Sequence, residues 1–366
     1  MQVFRRTVDL IALLVLAQGC ATSSERPPVK LSGTVIRATP DPTLELESYD
    51  APSLFHLAGE SDRRGDADRA LELYRRMREE FPTDPLVIAA RFNAGLIHEN
   101  HERYELALRE YDAILAREAP GSEPDRQTWL DAHFRVAACH IKREAWWRAV
   151  AVFETVGELD DLPDRDRLEA LVGKGIALES AGDREAAMLS FSHALGFFRL
   201  VSRRRRFDDR GFAAEAAFRS GEIAHTYFDE VQLRYPLHVL KQSLDEKCRL
   251  LLLAQNHYLQ AIRYGDTHSV AVAGHRIGNL YEDLYESMIA LEVPADVDAS
   301  QVDVYREEVR NRVAVLVEKA IRVYEKALLA GRRTASAASW VEQTEAALAR
   351  LRAIYLADAA PLPGPE

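Results

Sequence analysis

The stretch LFHLAGESDRRGDADRALELYRRMREEFPTDP, residues 54–85, decides the fold. In it the small residue Ala58 is followed by Ala70 twelve positions later, by Tyr74 after four more and by Met77 after another three. Apolar residues at three- and four-residue spacing line one face of an α-helix. The stretch is therefore predicted to form two antiparallel helices joined by a short turn.

The same spacing recurs three more times before residue 200. Its members are Gly95, Ala107, Tyr111 and Ile114; Ala137, Ala149, Phe153 and Val156; and Gly175, Ala187, Phe191 and Ala194. A small residue opposite an alanine lets two helices approach to about 8 Å. The aromatic residue one turn later is expected to fill the gap toward the next pair. Residues 51–200 are thus predicted to be four consecutive helix pairs.

This pattern resembles the tetratricopeptide repeat (TPR) family. The matching residues are Leu54, Leu57, Ala58, Gly65, Asp66, Ala67, Ala70, Tyr74 and Pro82. The resemblance implies an all-α fold, a right-handed solenoid of antiparallel helix pairs. Gly65 and Gly182 fall at turns between paired helices, where a left-handed backbone is wanted.

Beyond residue 205 the pattern continues in stretched form. Gly221 and Gly278 supply the small first-helix residues. The second-helix signature reappears as Ala254, Tyr258 and Ala261, and again as Ala320, Tyr324 and Ala327. Residues 201–357 are therefore predicted to be elongated helical hairpins with Pro236 and Pro294 at their tips. A capping helix ends this part, and residues 358–366 are predicted to be a disordered tail.

The amino terminus reads as a targeting segment. Arg5 and Arg6 precede an apolar run, Leu10–Ala17, which is too short for the ~20 residues of a membrane span. The run leads through small residues to Cys20, which resembles the lipobox of bacterial lipoproteins. That resemblance implies a signal peptide over 1–19, acylation of Cys20 and outer-membrane sorting, with residues 20–50 as a flexible tether. An ordinary secretory signal with an incidental cysteine is the alternative.

Composition narrows the class of protein. The 366 residues carry 47 Lys+Arg against 58 Asp+Glu, and 47% of them are hydrophobic. Such a chain can build a sizeable core. Its net charge of −11 argues against binding nucleic acid, which needs clustered cations. The one dense basic run, Arg203–Arg206, is followed by Asp208 and Asp209, and a solvated junction is favoured there over contact with anionic lipid or an acidic partner.

No catalytic, cofactor or metal motif stands out, and the chain is not expected to be an enzyme. His98-Glu99-Asn100-His101 lacks the spacing of a zinc-protease motif. His98 and His140 are interpreted as packing residues between helices. Cys139 and Cys248 are expected to lie on helices, and a disulfide between them is left open.

A partner-binding groove is predicted from the register of the first helices. Phe55, Phe92, Phe134 and Val172 lie three residues before the small positions, and Gly59, Leu96, Ala138 and Ile176 lie one residue after them. In the TPR family the former positions tend to face the concave groove. The groove residues are therefore predicted to be Phe55, Phe92, Leu96, Phe134, Val172 and Ile176, suited to an extended segment or an amphipathic helix.

The favoured function is a non-enzymatic adaptor anchored at the periplasmic face of the outer membrane. It is similar to TPR lipoproteins that assist outer-membrane protein assembly, secretin or pilus assembly, or motility complexes. Its partners are expected to be envelope proteins and, through the lipid, the membrane itself. A peptidoglycan-cleaving enzyme on a helical scaffold and a secreted, unanchored adaptor are the alternatives. The sequence does not indicate an oligomeric state.

Overall fold

The protein is described here from a computed structural model, which describes residues 49–117, 125–265, 267–294, 297–332 and 338–358. All regular structure in these residues is helical, so the predicted all-α fold is confirmed. The acylation site Cys20, most of the tether and the tail from residue 359 lie outside the described residues.

Thirteen α-helices follow one another along the described chain. They are α1 (Ala51–Arg63), α2 (Ala67–Glu80), α3 (Leu86–Asn100), α4 (Tyr104–Leu115), α5 (Asp125–Lys142), α6 (Trp146–Gly157), α7 (Asp164–Ser180), α8 (Arg184–Arg204), α9 (Arg210–Glu230), α10 (Leu237–Tyr264), α11 (Thr267–Ile289), α12 (Val302–Gly331) and α13 (Ala338–Asp358). A 3₁₀ turn, Ala299–Gln301, precedes α12.

The chain divides into two compact units, residues 1–162 and 163–366. The first contains the pairs α1–α2, α3–α4 and α5–α6, and the second contains α7–α8, α9–α10 and α11–α12, closed by α13. Within each unit, consecutive helices pack against each other and each pair packs on the next. This division lies one helix pair before residue 200, the position at which the sequence changes from short to long repeats.

The seam inside each pair is a close contact between a small residue and an aromatic ring. A Cβ atom added to Gly95 would lie 2.4 Å from Tyr111, and one on Gly278 would lie 2.2 Å from Tyr324. Gly175 and Gly221 meet Phe191 and Tyr258 in the same way, at 2.4 and 2.6 Å. The ring therefore lies over the small residue of its own pair, which corrects the expectation that it fills the gap toward the next pair.

The turns inside the short pairs share a left-handed residue. Gly65 and Gly182 have φ values of 83° and 89°, as predicted for these glycines. Glu102 and Glu144 occupy the corresponding turns with φ of 57°, although they carry side chains. This conformation reverses the chain in two to three residues and sets each second helix antiparallel to the first.

A pair of glycine substitutions tests the seam. We expect Gly95→Ala to lower the free energy of unfolding by about 1–3 kcal/mol, because its methyl group would overlap the Tyr111 ring. Gly59→Ala is the control, since its nearest neighbours would be 3.7 Å away. It should raise stability by about 0.5–1 kcal/mol, because alanine favours a helix interior. Urea unfolding of both variants measures the difference, and equal effects would contradict the seam.

Side-chain hydrogen bonds, most of them half-buried, connect successive pairs, or the last pair and α13, within a unit. In each case a tyrosine hydroxyl donates to a glutamate on a first helix, and an arginine from the next first helix, or from α13, binds the same carboxylate. We call these sets Tyr–Glu–Arg bridges. Their members are Tyr111, Glu99 and Arg135; Tyr258, Glu222 and Arg276; and Tyr324, Glu282 and Arg350.

These bridges follow from the seam. The seam buries the tyrosine ring, and a buried phenolic hydroxyl needs a hydrogen-bond partner. The Tyr111 hydroxyl is 3.1 Å from Glu99 Oε2, and Arg135 Nη1 lies 3.3 Å from Glu99 Oε1. Keeping a carboxylate charged in this half-buried position costs free energy unless a cation lies beside it, and the arginine supplies that cation. Two of the bridges thus join neighbouring pairs, and the third joins the last pair to α13.

Removing one arginine from a bridge should cost more than removing a surface arginine. We expect Arg135→Met to lower the free energy of unfolding by about 1–3 kcal/mol, because it leaves the Glu99 carboxylate without its cation. The control Arg75→Met breaks contacts with Glu72 and Glu79 on an exposed face, and should change stability much less. Thermal unfolding of the two variants compares them directly, and a similar loss in both would refute the bridge.

The basic run between the short and long pairs is partly neutralised by neighbouring acids. Arg205 pairs with Asp164 and Arg206 with Asp208, while Asp209 pairs with Arg165, which lies outside the run. All four arginines of the run are exposed. This agrees with the interpretation of a solvated junction.

Candidate functional site

The aromatic residues of the predicted groove pack inside their own helix pairs. The ring centroids of Phe55 and Phe92 lie 5.7 Å from those of Tyr74 and Tyr111, respectively. Phe134 lies 6.4 Å from the Phe153 ring, so the same contact recurs in the third pair. The position three residues before the small residue therefore faces the second helix of the pair.

Burial separates the six predicted residues into two groups. Phe92 is 3% exposed and Val172 is 2% exposed, so in this structure neither offers its side chain to a partner. Phe92 belongs to a core cluster with Tyr111 and Val136, which is the physical reason. Phe55, Leu96, Phe134 and Ile176 are half-buried, and part of each side chain reaches the surface.

The position one residue after the small residue lies on a different face of the first helix. In the two long pairs of the second unit this position is polar: it holds Glu222 on α9 and Asn279 on α11. Both residues line an open pocket of about 230 Å³ between these two first helices. The other lining residues are His225, Thr226, Asp229, Arg276 and Asp283.

One wall of the pocket is organised by a Tyr–Glu–Arg bridge. Tyr258 donates its hydroxyl hydrogen to Glu222 Oε1 at 2.5 Å, and Arg276 Nη2 lies 2.7 Å from Glu222 Oε2. Burial raises the pKa of the Tyr258 hydroxyl strongly, so this group stays protonated. The Glu222 and Arg276 charges offset each other across this contact.

Three side chains of metal-ligating types, one imidazole and two carboxylates, meet on the other wall. His225 is 7% exposed, and its Nδ1 lies 3.1 Å from the Tyr258 hydroxyl. Its Nε2 lies 3.4 Å from Asp283 Oδ2 and 3.8 Å from Asp229 Oδ1. Burial raises the pKa of Asp229 above its ordinary value. We call His225, Asp229 and Asp283 the His–Asp cluster.

The residues of this pocket were not identified from the sequence. His225 and Asp229 lie four apart on one helix and so share a face, which is a weak signal by itself. Asp283 is 58 residues from His225, and only the packing of α11 beside α9 brings it close. The longer spacing between repeats in the second half does not predict which residues of α9 and α11 lie opposite each other.

The histidines and cysteines considered in the sequence analysis lie in half-buried or buried positions. His98 and His140 are half-buried, and burial lowers the pKa of both imidazoles. Cys139 is a free, buried thiol whose pKa is raised by burial to about 12, and it is not activated as a nucleophile. Cys248 is free and half-buried. These findings agree with the interpretation of the histidines and cysteines as structural.

A histidine at an aromatic seam position makes stability depend on pH. His275 lies three residues before Gly278, with its ring 5.5 Å from that of Tyr324, and it is 6% exposed. Burial lowers its pKa to about 4. An unfolded histidine binds its proton near pH 6.5, so between about pH 6.5 and pH 4 the unfolded chain takes up a proton that the folded chain excludes. Stability is therefore lost as the pH falls through this window.

We expect His275→Phe to reduce this acid-side loss of stability. Phenylalanine, the residue at the matching position in most of the other pairs, binds no proton. The acid-side decrease in the free energy of unfolding should shrink by on the order of 2 kcal/mol, as measured by urea unfolding at several pH values. His56→Phe, at an exposed position, is the matched control. An unchanged pH dependence in His275→Phe would contradict the assignment.

Among the described residues no helix is both long and apolar enough to cross a membrane. No protein-family model matches the sequence, and neither does any curated protein.

Solved structures with similar helix arrangements include the following three. The apo form of RapI aligns at 9% identity and a TM-score of 0.44, over 83% of this chain and 98% of its own. A tetratricopeptide repeat protein from Parabacteroides merdae aligns at 14% and 0.37, and a TPR repeats protein from Bacteroides fragilis at 11% and 0.30. Each of these two alignments covers 81% of this chain and 98% of the other protein's chain. At such low identity and score, the assignment of helix pairs rests on the packing described above.

Proposed function

We propose that this protein is an interaction scaffold, in which the faces of successive first helices receive segments of partner proteins. The observation that carries the proposal is the open pocket between α9 and α11, which is lined by first-helix side chains alone. Stacked helix pairs repeat the same face along the chain, and such arrays offer extended binding surfaces.

The first-helix face changes chemistry along the chain. In the first unit Leu96 is half-buried one residue after Gly95, and at the start of the second unit Ile176 holds the same position after Gly175. Further along the second unit, Glu222 and Asn279 make this position polar. We infer that apolar stretches of partners are bound near Leu96 in the first unit and near Ile176 in the second, and a polar stretch near the pocket.

The location is part of the proposal. The run before Cys20 supports a lipoprotein signal, and several acyl chains would give durable attachment at about 0.8 kcal/mol for each buried CH₂. We propose that the scaffold is held at the periplasmic face of the outer membrane and serves the assembly or function of an envelope complex.

Partner capture tests the scaffold. Crosslinking in native envelopes, followed by purification of the full chain, should recover defined partner proteins. We expect Leu96→Glu to reduce recovery several-fold, because it places a charge on the apolar first-helix face. The matched control is Leu252→Glu on the second helix α10, where the side chain is 62% exposed. Circular dichroism checks that both variants remain folded, and equal recovery from the two would contradict the proposal.

Two further measurements separate the alternatives. Cys20→Ser should release the protein from the membrane fraction, and unchanged membrane association would refute lipid anchoring. Incubation of the purified protein with peptidoglycan should release no soluble muropeptides. Release that one carboxylate substitution abolishes would identify an enzyme instead.

A further inference from the structure

We propose that the His–Asp cluster is a binding site for one divalent transition-metal ion, with His225 Nε2 and the carboxylates of Asp229 and Asp283 as ligands. The ion would enter from the open side of the pocket, where both carboxylates are partly exposed. This inference goes beyond the scaffold function and does not depend on it.

The hydrogen bonds of Tyr258 determine which nitrogen of His225 is free. A tyrosine hydroxyl has one hydrogen, and the 2.5 Å contact directs it to Glu222 Oε1. The Tyr258 oxygen can therefore only accept at its 3.1 Å contact with His225 Nδ1. That contact needs the hydrogen of the imidazole on Nδ1, so a neutral ring carries its lone pair on Nε2.

This tautomer leaves an electrostatic gap in the cluster. The Nε2 lone pair faces carboxylate oxygens at 3.4 and 3.8 Å, and while both aspartates are ionised none of these atoms has a hydrogen to share. Three electron-rich atoms at such distances repel each other unless a cation lies among them. Either a proton, on His225 or on one of the carboxylates, or a metal ion fills this requirement, and these two occupants make different predictions.

The distances favour a metal ion as an occupant. All three candidate ligand atoms lie within 4.8 Å of one another. Ligands around a tetrahedral zinc ion, bonded at about 2.0–2.1 Å, are separated by about 3.4 Å. Two of the distances are already close to this value, and the aspartates, being on the open side, can turn to complete it. A solvent molecule would supply the fourth ligand.

The surroundings have the charge and the support that such a site needs. The pocket's cation Arg276 is bound to Glu222, and the Lys247 ammonium donates to the carbonyls of Phe228 and Val231 at the end of α9. The Arg276 charge is thus offset by Glu222, whereas the Lys247 ammonium keeps its charge and acts on both aspartates. Two aspartates against one lysine leave the cluster with a net negative charge, which attracts a divalent cation. A metal-ligating histidine commonly donates its other N–H to an oxygen, which fixes the ring, and Tyr258 does this for His225.

Zinc binding by the tag-free full-length protein tests the proposal. Titration of Zn²⁺ in competition with a chromogenic chelator should give one ion per chain. Asp229→Asn and Asp283→Asn should each weaken the affinity at least tenfold, and both positions are exposed enough for the fold to survive. Glu230→Gln is the matched control, because this neighbouring acid binds Arg184 instead, and it should bind zinc like the wild type.

A second variant addresses the support of the ligand. Tyr258→Phe keeps the ring of the seam but removes the oxygen that orients His225, and should weaken zinc binding about 10–100-fold. The absorption spectrum of the Co²⁺-loaded protein should show a four-coordinate ion, and this signal should disappear in Asp283→Asn.

Three results would overturn the proposal. One is the absence of stoichiometric zinc binding by the wild type. Another is binding that both aspartate variants retain, which would locate the ion elsewhere. The third is an imidazole NMR signal showing that His225 keeps protons on both nitrogens when zinc is added, which would identify a proton as the occupant.

Discussion

The structure depends on the close approach of one aromatic ring to one residue that has no side chain in the way. Gly95 under Tyr111 and Gly278 under Tyr324 are the clearest cases, since a single added carbon would lie within about 2.4 Å of the ring. This contact sets the distance between the two helices of a pair. It is kept when the helices lengthen from 12 residues in α4 to 30 in α12, so the long hairpins are the same unit in a longer form.

The polar features of the protein follow from the same contact. A ring held in this way brings its hydroxyl to a fixed place beside the next pair, where it must find a hydrogen-bond partner. In three pairs with a tyrosine, a glutamate and an arginine complete the arrangement, whereas in the first pair the Tyr74 hydroxyl accepts a hydrogen bond from Asn93. Phe153 and Phe191 have no hydroxyl to offer. The pocket in the second unit is one outcome, because the Tyr258 hydroxyl binds Glu222 on one side and His225 on the other.

The sequence predicted the helix pairs well because their signal is local. Four residues at fixed spacing identify each short pair, and Gly221 and Gly278 were correctly matched to Tyr258 and Tyr324 despite the longer separation. The direction in which a single side chain points is harder to predict. Phe92 and Leu96 are one helical turn apart and lie on neighbouring stripes, yet the first is buried against Tyr111 and the second reaches the surface. The spacing of apolar residues shows that a helix has an apolar face, but it does not determine which residues of that face are fully buried and which lie at its edge.

The carboxylates show a second limit. Glu99 and Glu102 are both glutamates near the end of the same first helix, and nothing local distinguishes them. The first accepts hydrogen bonds from Tyr111 and Arg135, while the second lies exposed in a turn. Helical periodicity therefore does not show which glutamates form the bridges. The role of Glu99 depends on partners 12 and 36 positions away.

The Tyr–Glu–Arg bridges also affect how the molecule comes apart. Stacked repeats often behave as a line of weakly coupled elements that fray inward from the ends. Here, separating the helices on the two sides of a bridge would leave a half-paired carboxylate on one of them. The bridged helices should consequently come apart in a concerted step, and intermediates in which only one side of a bridge has unfolded should be scarce.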